Sequence, residues 1–332
     1  MTPITSLALL AMLARNRFLV LGRVGMDLCA DPPGTRTEEA GRFAAAMGGS
    51  AANIAAALVR LGGQADLLTC VSDDAVGRFC RAEMARYGIG GAHVRTVGGE
   101  ARTTLAVVET RAVDTQSVIY RNRAADFELT SADVEAVDFK PYGALVVTGT
   151  ALAAYPSQTA AFRALERAAA AGVPVVLDID YRPYSWPSAR VARQICARAA
   201  DLSAIVIGND VEFGVLAGSA EAGLATARTL AAKASIVVYK RGEAGAITFD
   251  EGEEMATGIY AVAALKPTGA GDAFMGGFLS ALAAGRPVAE AVLRGSAAAA
   301  IVVTRVGCAP AMPTPDELTH FLATHPGPTT PE

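Results

Sequence analysis

Residues 173–182 read Val-Pro-Val-Val-Leu-Asp-Ile-Asp-Tyr-Arg, a continuous apolar run that leads directly into charged side chains. A short apolar run of this kind is typical of a strand whose two faces are both buried in a parallel sheet. Charged residues just after a strand indicate a site, because open α/β sheets place their ligands beyond the carboxyl ends of the strands. We predict strands at 173–178 and, from similar runs, at 17–24, 65–71, 144–148, 203–207, 235–240 and 245–249.

Alanine-rich segments with helical periodicity separate these runs. A last helix has a clear start signal, with Thr314 as its N-cap, Pro315 as its first residue and Glu317 at its third position. Repeated alternation of strand and helix predicts an α/β fold, a doubly wound and mostly parallel sheet flanked by helices. The other predicted helices lie at 51–61, 75–87, 157–171, 188–200, 221–233, 271–284 and 287–304.

Two segments, 26–46 and 100–127, break this alternation. The second contains short alternating runs at 104–109 and 117–121 without a helix of matching length beside them. We expect these segments to form a small separate sheet that acts as a lid, because closing a lid keeps water out of a site. An antiparallel extension of the main sheet is the alternative.

The expected domain organisation is one large α/β domain at 17–325, with an N-terminal extension at 1–16 and a tail at 326–332. The apolar run at 6–13 has no basic residue before it, so we interpret it as an extra helical turn and not as a signal peptide. No apolar run approaches the ~20 residues that span a bilayer.

The composition of the chain indicates which classes of partner to expect. Its 332 residues carry a net charge of −4, which gives no electrostatic reason to expect nucleic acid. Five cysteines without a C-x-x-C pair suggest reduced thiols in a cytoplasmic protein. Three histidines, two of them close to the C-terminus, argue against histidine-based or metal-centred catalysis. We therefore expect a small-molecule substrate, no nucleic acid and no membrane.

The segment Pro267 to Asp272, with the sequence Pro-Thr-Gly-Ala-Gly-Asp, opens the helix predicted at 271–284. The small residues Gly269, Ala270 and Gly271 allow a phosphate to approach the free amides of the helix N-terminus. Asp272 would stand beside that anion, placed to take a proton from a hydroxyl group. The segment predicts phosphoryl transfer to an alcohol; the alternative is a glycine-rich turn whose acid only favours the helix dipole.

Five segments in chain order resemble the ribokinase-like (PfkB) carbohydrate kinases: Gly22 to Asp27, Gly48 to Asn53, Asn209 to Glu212, Lys240 to Gly245 and Gly269 to Asp272. The resemblance covers about residues 17–323. It implies a ribokinase-like fold, with ATP and Mg²⁺ as cofactors and with Gly269 to Asp272 supplying the anion hole and the catalytic base.

The same resemblance implies further roles. It places Asp27, Gly48, Gly49 and Asn53 on the sugar, Glu212 on Mg²⁺ through water, and a last group beside the nucleotide: Asn209, Lys240, Gly242 and Gly245. Each residue also has a plainer interpretation. Gly48 and Gly49 could form an ordinary tight turn, Glu212 could favour a helix dipole, and Lys240 could be an edge cation.

The substrate class follows from a narrower resemblance. Asp178 to Pro183, followed by Trp186, is similar to the D-x-N-x-R-x-x-x-W segment of family members that act on 2-keto-3-deoxygluconate. Tyr120 and Arg121 are similar to their Y-R element, which implies that Arg121 and Arg182 bind a carboxylate. Both arginines could instead be ordinary surface or salt-bridge residues.

Asp180 stands where those enzymes tend to have asparagine, so it is a pure acceptor that suits a different pattern of hydroxyl and keto groups. Together with Lys266 to Thr268 and residues 307–314, it resembles the branch that phosphorylates 5-dehydro-2-deoxygluconate in myo-inositol breakdown. We expect phosphorylation of the C6 hydroxyl of a keto-deoxy sugar acid. Another sugar acceptor and a non-catalytic sugar-binding protein remain as alternatives.

Lys266 departs from the family pattern, since many members have an acid there that belongs to a monovalent-cation site. An ammonium group could replace the charge of that ion, so the resemblance does not extend to potassium activation. Lid sheets in this family often pair, which implies a possible homodimer.

Overall fold

The computed structural model of the chain describes residues 4–329. Residues 1–3 of the expected extension and 330–332 of the expected tail lie outside this range. This described part of the chain has thirteen strands: β1 (Arg17–Leu21), β2 (Gly25–Asp31), β3 (Arg42–Gly48), β4 (Gln64–Ser72), β5 (Val94–Val97), β6 (Thr104–Val108), β7 (Ser117–Tyr120), β8 (Ala144–Thr148), β9 (Val175–Asp178), β10 (Ile205–Asn209), β11 (Ile236–Lys240), β12 (Ala246–Asp250) and β13 (Glu253–Thr257).

Nine of these strands form the main sheet, in the spatial order β13-β12-β11-β10-β9-β8-β1-β4-β5. All neighbouring pairs from β11 to β5 are parallel, and β12 and β13 add an antiparallel edge. The predicted mostly parallel sheet is confirmed. Two of its strands have no counterpart among the predicted runs, because β5 has only four residues and β13 is a polar edge strand with two glutamates.

Eleven α-helices accompany the strands among residues 4–329: α1 (Ser6–Leu13), α2 (Ser50–Arg60), α3 (Ala75–Tyr87), α4 (Ser131–Glu135), α5 (Ser157–Ala170), α6 (Ala189–Ala200), α7 (Asp210–Ala217), α8 (Gly223–Ala231), α9 (Ala270–Ala283), α10 (Val288–Val303) and α11 (Pro315–Thr324). Every predicted helix is present. The predicted cap of α11 is also present, because Thr314 Oγ1 accepts the amide of Glu317 and the Glu317 carboxylate accepts that of Thr314.

Buried side chains of the central strands alternate between two cores, one on each face of the sheet. In β8, Leu145 and Val147 belong to one core and Val146 belongs to the other, and all three are fully buried. The second core also takes Leu9 and Leu13 from α1, so the apolar run at 6–13 is a packed helix. Burial on both faces explains why these strands read as continuous apolar runs.

A separate four-stranded sheet, in the order β3-β2-β6-β7, stands apart from the main sheet. It is made from the two segments that break the alternation, as expected, although β2 and β6 pair in parallel. Its strands place Ala46, Asp27, Ala106 and Ile119 in one row across the sheet. We call this sheet the lid. The connection from β1 to β2 is only residues 22–24, so the lid begins at the carboxyl end of a central strand.

No helix within residues 4–329 combines the length and the apolar character that crossing a membrane requires. All five cysteines are buried and free.

Candidate active site

The carboxyl ends of β1, β9, β10 and β11 open into one cavity of about 760 Å³, and the lid covers part of it through Asp27, Ala106 and Ile119. This is the position expected for a ligand site in an open α/β sheet. The residues predicted from the sequence that line the cavity are Asp27, Gly49, Asn53, Asp180, Arg182, Asn209, Glu212, Lys240, Gly242, Gly245, Gly269, Ala270, Gly271 and Asp272. Gly48 and Arg121 do not line it.

Asp272 lies in the first turn of α9, where free backbone amides and the helix dipole favour an anion. The turn before it needs glycine: Gly269 has φ +86°, and a Cβ at this position would lie 3.0 Å from the sulfur of Cys308. Asp272 Oδ2 accepts a hydrogen bond of 2.8 Å from Asn53 Nδ2. This bond fixes one carboxylate oxygen and leaves the other facing the cavity.

Desolvation raises the pKa of Asp272 to about 7, and the negative charge of Asp180 adds to the effect, while the hydrogen bond from Asn53 opposes it. A carboxyl group with this pKa exchanges protons near neutral pH. Asp272 therefore has both the position and the acidity of a general base.

Asn53 and Asp27 offer hydrogen-bonding groups that the protein itself does not use. Asn53 Oδ1 is buried and has no hydrogen-bond partner in the described part of the chain. The Asp27 side chain is 9% exposed, and burial raises its pKa. Gly48 makes room for it, since a Cβ at Gly48 would lie 2.0 Å from Asp27 Oδ1. These two acceptors suit ligand hydroxyl groups, and Gly48 acts by leaving space and not by lining the cavity.

Asp180 is the centre of a hydrogen-bonded cluster. Its Oδ2 accepts hydrogen bonds from Ser50 Oγ at 2.7 Å and Thr150 Oγ1 at 3.1 Å, and its Oδ1 pairs with Arg182 Nη2 at 2.8 Å. The carboxylate is 4% exposed, whereas 47% of the Arg182 side chain remains exposed. Asp180 thus links α2 to the end of β9, and Arg182 reaches the cavity already bound to it.

Glu212 has a structural role that the sequence left open. It closes a capping box at the start of α7, in which its Oε2 accepts the amide of Asn209 at 2.7 Å. Its other oxygen, Oε1, accepts the amide of Tyr181 at 3.3 Å. Burial raises its pKa, while the nearby charge of Lys240 lowers it. Burial also raises the pKa of Asp178, which lies beside Glu212 at the end of β9.

Lys240 is the last residue of β11 and lies next to the start of α9. Its Nζ is 5.5 Å from the ring centre of Phe274, and a Cβ at Gly271 would lie 3.6 Å from it. An anion bound at the amides of α9 would therefore also meet this ammonium group. Gly242 and Gly245 form the next turn, and a Cβ at Gly245 would lie 1.9 Å from the carbonyl oxygen of Thr257.

The residues that line this cavity fit ATP with Mg²⁺. Magnesium prefers oxygen ligands and keeps several waters, so it needs only a few carboxylates beside the phosphates of a nucleotide. Asp178 and Glu212 provide buried carboxylates at the required edge of the sheet. Among residues 4–329 no group of three or more His, Cys, Asp or Glu side chains could hold a metal ion by itself.

The structure does not bring Arg121 to the cavity. Its Nη2 donates to Asp126 Oδ2 and to the carbonyl oxygen of Thr150, and its guanidinium lies 4.1 Å from the ring centre of Phe127. The buried Asp126 turns the side chain away from the ligand. Arg121 instead supports Thr150, whose hydroxyl group donates to Asp180.

Arg23 and Asp178 line the cavity, although neither was among the predicted site residues. Both lie at the carboxyl end of a strand that the apolar pattern predicts. The rule that sites lie at carboxyl strand ends is the signal that could have found them. Arg23 lies inside the segment Gly22 to Asp27, in which only Asp27 was predicted to bind the sugar.

Lys266 is buried behind the glycine turn. Its Nζ donates to the carbonyl oxygen of Thr268 at 2.5 Å and to that of Val302 at 3.4 Å. Desolvation lowers its pKa. The ammonium group thus binds backbone carbonyl oxygens of the kind that bind a monovalent cation.

We predict that monovalent cations neither stabilise nor activate this protein. The melting temperature should be the same in potassium chloride and in tetramethylammonium chloride, since the Lys266 ammonium already binds the two carbonyl groups. Lys266→Met should lower the stability by about 1–3 kcal/mol, because it leaves those oxygens without a donor. Lys233→Met, at an exposed lysine paired with Asp201, is the matched control. A saturable stabilisation of the wild type by potassium would contradict the prediction.

The chain is similar to known carbohydrate kinases over most of its length. The family model described as pfkB family carbohydrate kinase matches residues 15–315. The chain is 39% identical over 312 residues to a 5-dehydro-2-deoxygluconokinase of Photobacterium profundum, which covers 92% of this chain and 94% of that protein. It is 35% identical over 311 residues to a 5-dehydro-2-deoxygluconokinase of Geobacillus thermodenitrificans, with 92% of each chain covered.

Among solved structures, the chain is similar to a fructokinase double mutant of Vibrio cholerae in a form with bound fructose, ADP and potassium ion. The TM-score is 0.82 at 26% identity, and the match covers 92% of this chain and 98% of the other. The family match spans both sheets and the Gly269 to Asp272 turn, and with it the chain belongs to the PfkB family of carbohydrate kinases.

Proposed function

We propose that this protein transfers a phosphoryl group from ATP to the C6 hydroxyl of 5-dehydro-2-deoxy-D-gluconate, a keto-deoxy sugar acid of myo-inositol catabolism. The observation that carries the proposal is the position of Asp272. Its carboxyl group, with a pKa of about 7, lies in the first turn of a helix, bound to Asn53 in a cavity that holds both acids and cations. The names of the relatives that are 35–39% identical support the choice of acceptor.

In this proposal the chain mainly positions the two substrates and stabilises charge, as is general for phosphoryl transfer. Asn53 Oδ1 and Asp27 bind acceptor hydroxyl groups, and Gly48 and Gly49 bring the backbone of the preceding turn close to them. Asp272 removes the proton from the reacting hydroxyl group. Because Asn53 already donates to Oδ2, the proton goes to the oxygen that faces the cavity.

The nucleotide takes the other side of the cavity. The amides of Gly269, Ala270 and Gly271 and the ammonium group of Lys240 meet the transferring group and stabilise its charge. Asn209, Gly242 and Gly245 border the nucleotide. Mg²⁺ bound with ATP would neutralise part of the phosphate charge, and Glu212 would hold this ion through water. The lid lies over the acceptor side and keeps water from competing with the hydroxyl group.

Arg182 binds the acceptor carboxylate from the rim of the cavity in this proposal. Its guanidinium keeps its charge because the pKa is raised by Asp180 beside it. A guanidinium carries five N–H donors, so the pair with Asp180 leaves others for a ligand. Arg121 contributes only through Thr150, as the contacts above indicate.

The remaining features of the proposal concern the whole chain. We propose one kinase domain at 17–325, with lid segments at 26–46 and 100–127, working in the cytoplasm. The outer face of the lid exposes Phe43 (40%), Val118 (47%) and Tyr120 (59%), an apolar surface that a second copy of the chain would cover in a homodimer.

An acceptor panel tests the proposed function. We expect formation of ADP from ATP and Mg²⁺ with 5-dehydro-2-deoxygluconate at a kcat/KM at least about tenfold above that for the neutral sugars fructose and ribose, because a charged hydrogen bond contributes about 1.5–3 kcal/mol. 2-Keto-3-deoxygluconate also carries a carboxylate, so a higher kcat/KM for it than for 5-dehydro-2-deoxygluconate would change the identity of the acid sugar. A preference for a neutral sugar would contradict the acceptor but retain the kinase. No turnover with any acceptor would indicate a sugar-binding protein on this fold.

A second test removes the base. Asp272→Asn keeps the shape of the side chain but cannot accept the proton, so kcat should fall by roughly 10²–10⁴. Binding of ATP, measured by calorimetry, should change little. Asp316→Asn, at an exposed acid in the first turn of α11, is the control for a helix-terminal charge. If Asp272→Asn keeps more than about a tenth of the wild-type kcat, Asp272 is not the base.

A further inference from the structure

Three cationic side chains line the cavity: Arg23, Arg182 and Lys240. The surroundings of two of them account for their positive charge. Arg182 pairs with Asp180 at 2.8 Å. Lys240 lies beside Gly271 in the first turn of α9, where an anion would bind. Arg23 is different: among residues 4–329 no carboxylate lies within ion-pair distance of it, and its buried Nη1 has no hydrogen-bond partner.

The backbone of Arg23 is held firmly. Its carbonyl oxygen accepts the amide of Ala52 at 3.3 Å, and a Cβ at Gly49 would lie 2.5 Å from the same oxygen. Arg23 is therefore packed against the turn that precedes Asn53, where the connection from the main sheet to the lid begins. Its side chain extends from this fixed point into the acceptor side of the cavity.

The electrostatics agree with this position. After desolvation, which raises the pKa of Asp27, the charge of Arg23 is the main influence that lowers it. For Asp272 the charge of Arg23 also lowers the pKa, but it ranks behind that of Arg182. Arg23, Asp27 and Asp272 line the same cavity, and the charge of Arg23 acts on both carboxyl groups.

A guanidinium N–H that is buried without an acceptor costs free energy, and folded proteins rarely leave such a group unpaired. Arg23 also lines the cavity, and no protein group among residues 4–329 pairs with its other N–H donors, so these donors are available to a ligand oxygen. Among ligand groups, a carboxylate matches the planar fork of arginine best, because two parallel N–H donors can meet its two oxygens.

We infer that Arg23 is a substrate-specificity residue, which binds the carboxylate of the acceptor in the role that the sequence suggested for Arg121. The inference rests on the proposed sugar-acid substrate. It adds a second cation, at the start of the lid, so that Arg23 and Arg182 share the carboxylate and the far hydroxyl group of the sugar lies at Asp272.

The test compares two acceptors across three proteins. The acceptors are 5-dehydro-2-deoxygluconate and its neutral analogue, in which a hydroxymethyl group replaces the carboxylate. The proteins are the wild type, Arg23→Gln and Arg123→Gln, a control at a lid arginine that is 81% exposed. Arg23→Gln should lower kcat/KM for the acid about 10- to 100-fold and for the neutral analogue less than about threefold. Arg123→Gln should change neither.

Calorimetry of the acid sugar without ATP should show the same loss of affinity in Arg23→Gln, with partial recovery in Arg23→Lys. An equal loss on both acceptors, or a raised KM for ATP alone, would mean that Arg23 meets the transferring phosphoryl group and would overturn the inference. If the wild type prefers the acid and Arg23→Gln keeps that preference, only this inference fails. If the wild type prefers the neutral analogue, the proposed substrate itself is wrong.

Discussion

The desolvation of several carboxyl groups at one edge of a parallel sheet is the constraint on which this structure depends. Asp178, Asp180 and Glu212 follow neighbouring strands and are each 4–6% exposed. Like charges brought together and away from water raise each other's pKa. The protein offsets this cost locally, through hydroxyl donors and Arg182 at Asp180 and through backbone amides at Glu212. Desolvation raises the pKa of Asp272 to about 7, and among the nearby charges that of Asp180 raises it further.

The lid and the anion-binding helix complete this arrangement from opposite sides. The lid carries Asp27 over the cavity, in the same row of the sheet as Ala106 and Ile119. This row therefore places one polar and two apolar side chains against the cavity. On the other side, Gly269 allows α9 to begin beside Cys308, and the buried Lys266 ammonium binds the carbonyl groups behind that turn. Because this ammonium group belongs to the chain, the positive charge behind the turn does not depend on a bound cation.

The sequence predicts this fold well where burial leaves a pattern. Strands buried on both faces read as apolar runs, and the cap of α11 is visible in three residues, whereas the polar β13 leaves no such signal. The glycine turn and Asp272 are equally visible, since their chemistry is local. The arginines show what the sequence does not predict. Arg121 pairs with the buried Asp126 and not with the cavity, and this depends on tertiary contacts and on the register of the lid strands. The position of Arg23 at the cavity is likewise a tertiary feature.

The central claim, that desolvation brings Asp272 into the working pH range, is tested most directly by the pH dependence of kcat/KM at saturating ATP and Mg²⁺. The base acts only when deprotonated, so kcat/KM for the acceptor should rise about tenfold per pH unit below the pKa of Asp272 and level off above about 7. Asp272→Asn has no carboxyl group to titrate and should lose this inflection. A wild-type profile that is flat from pH 5.5 to 8.5, or one that Asp272→Asn reproduces, would contradict the account.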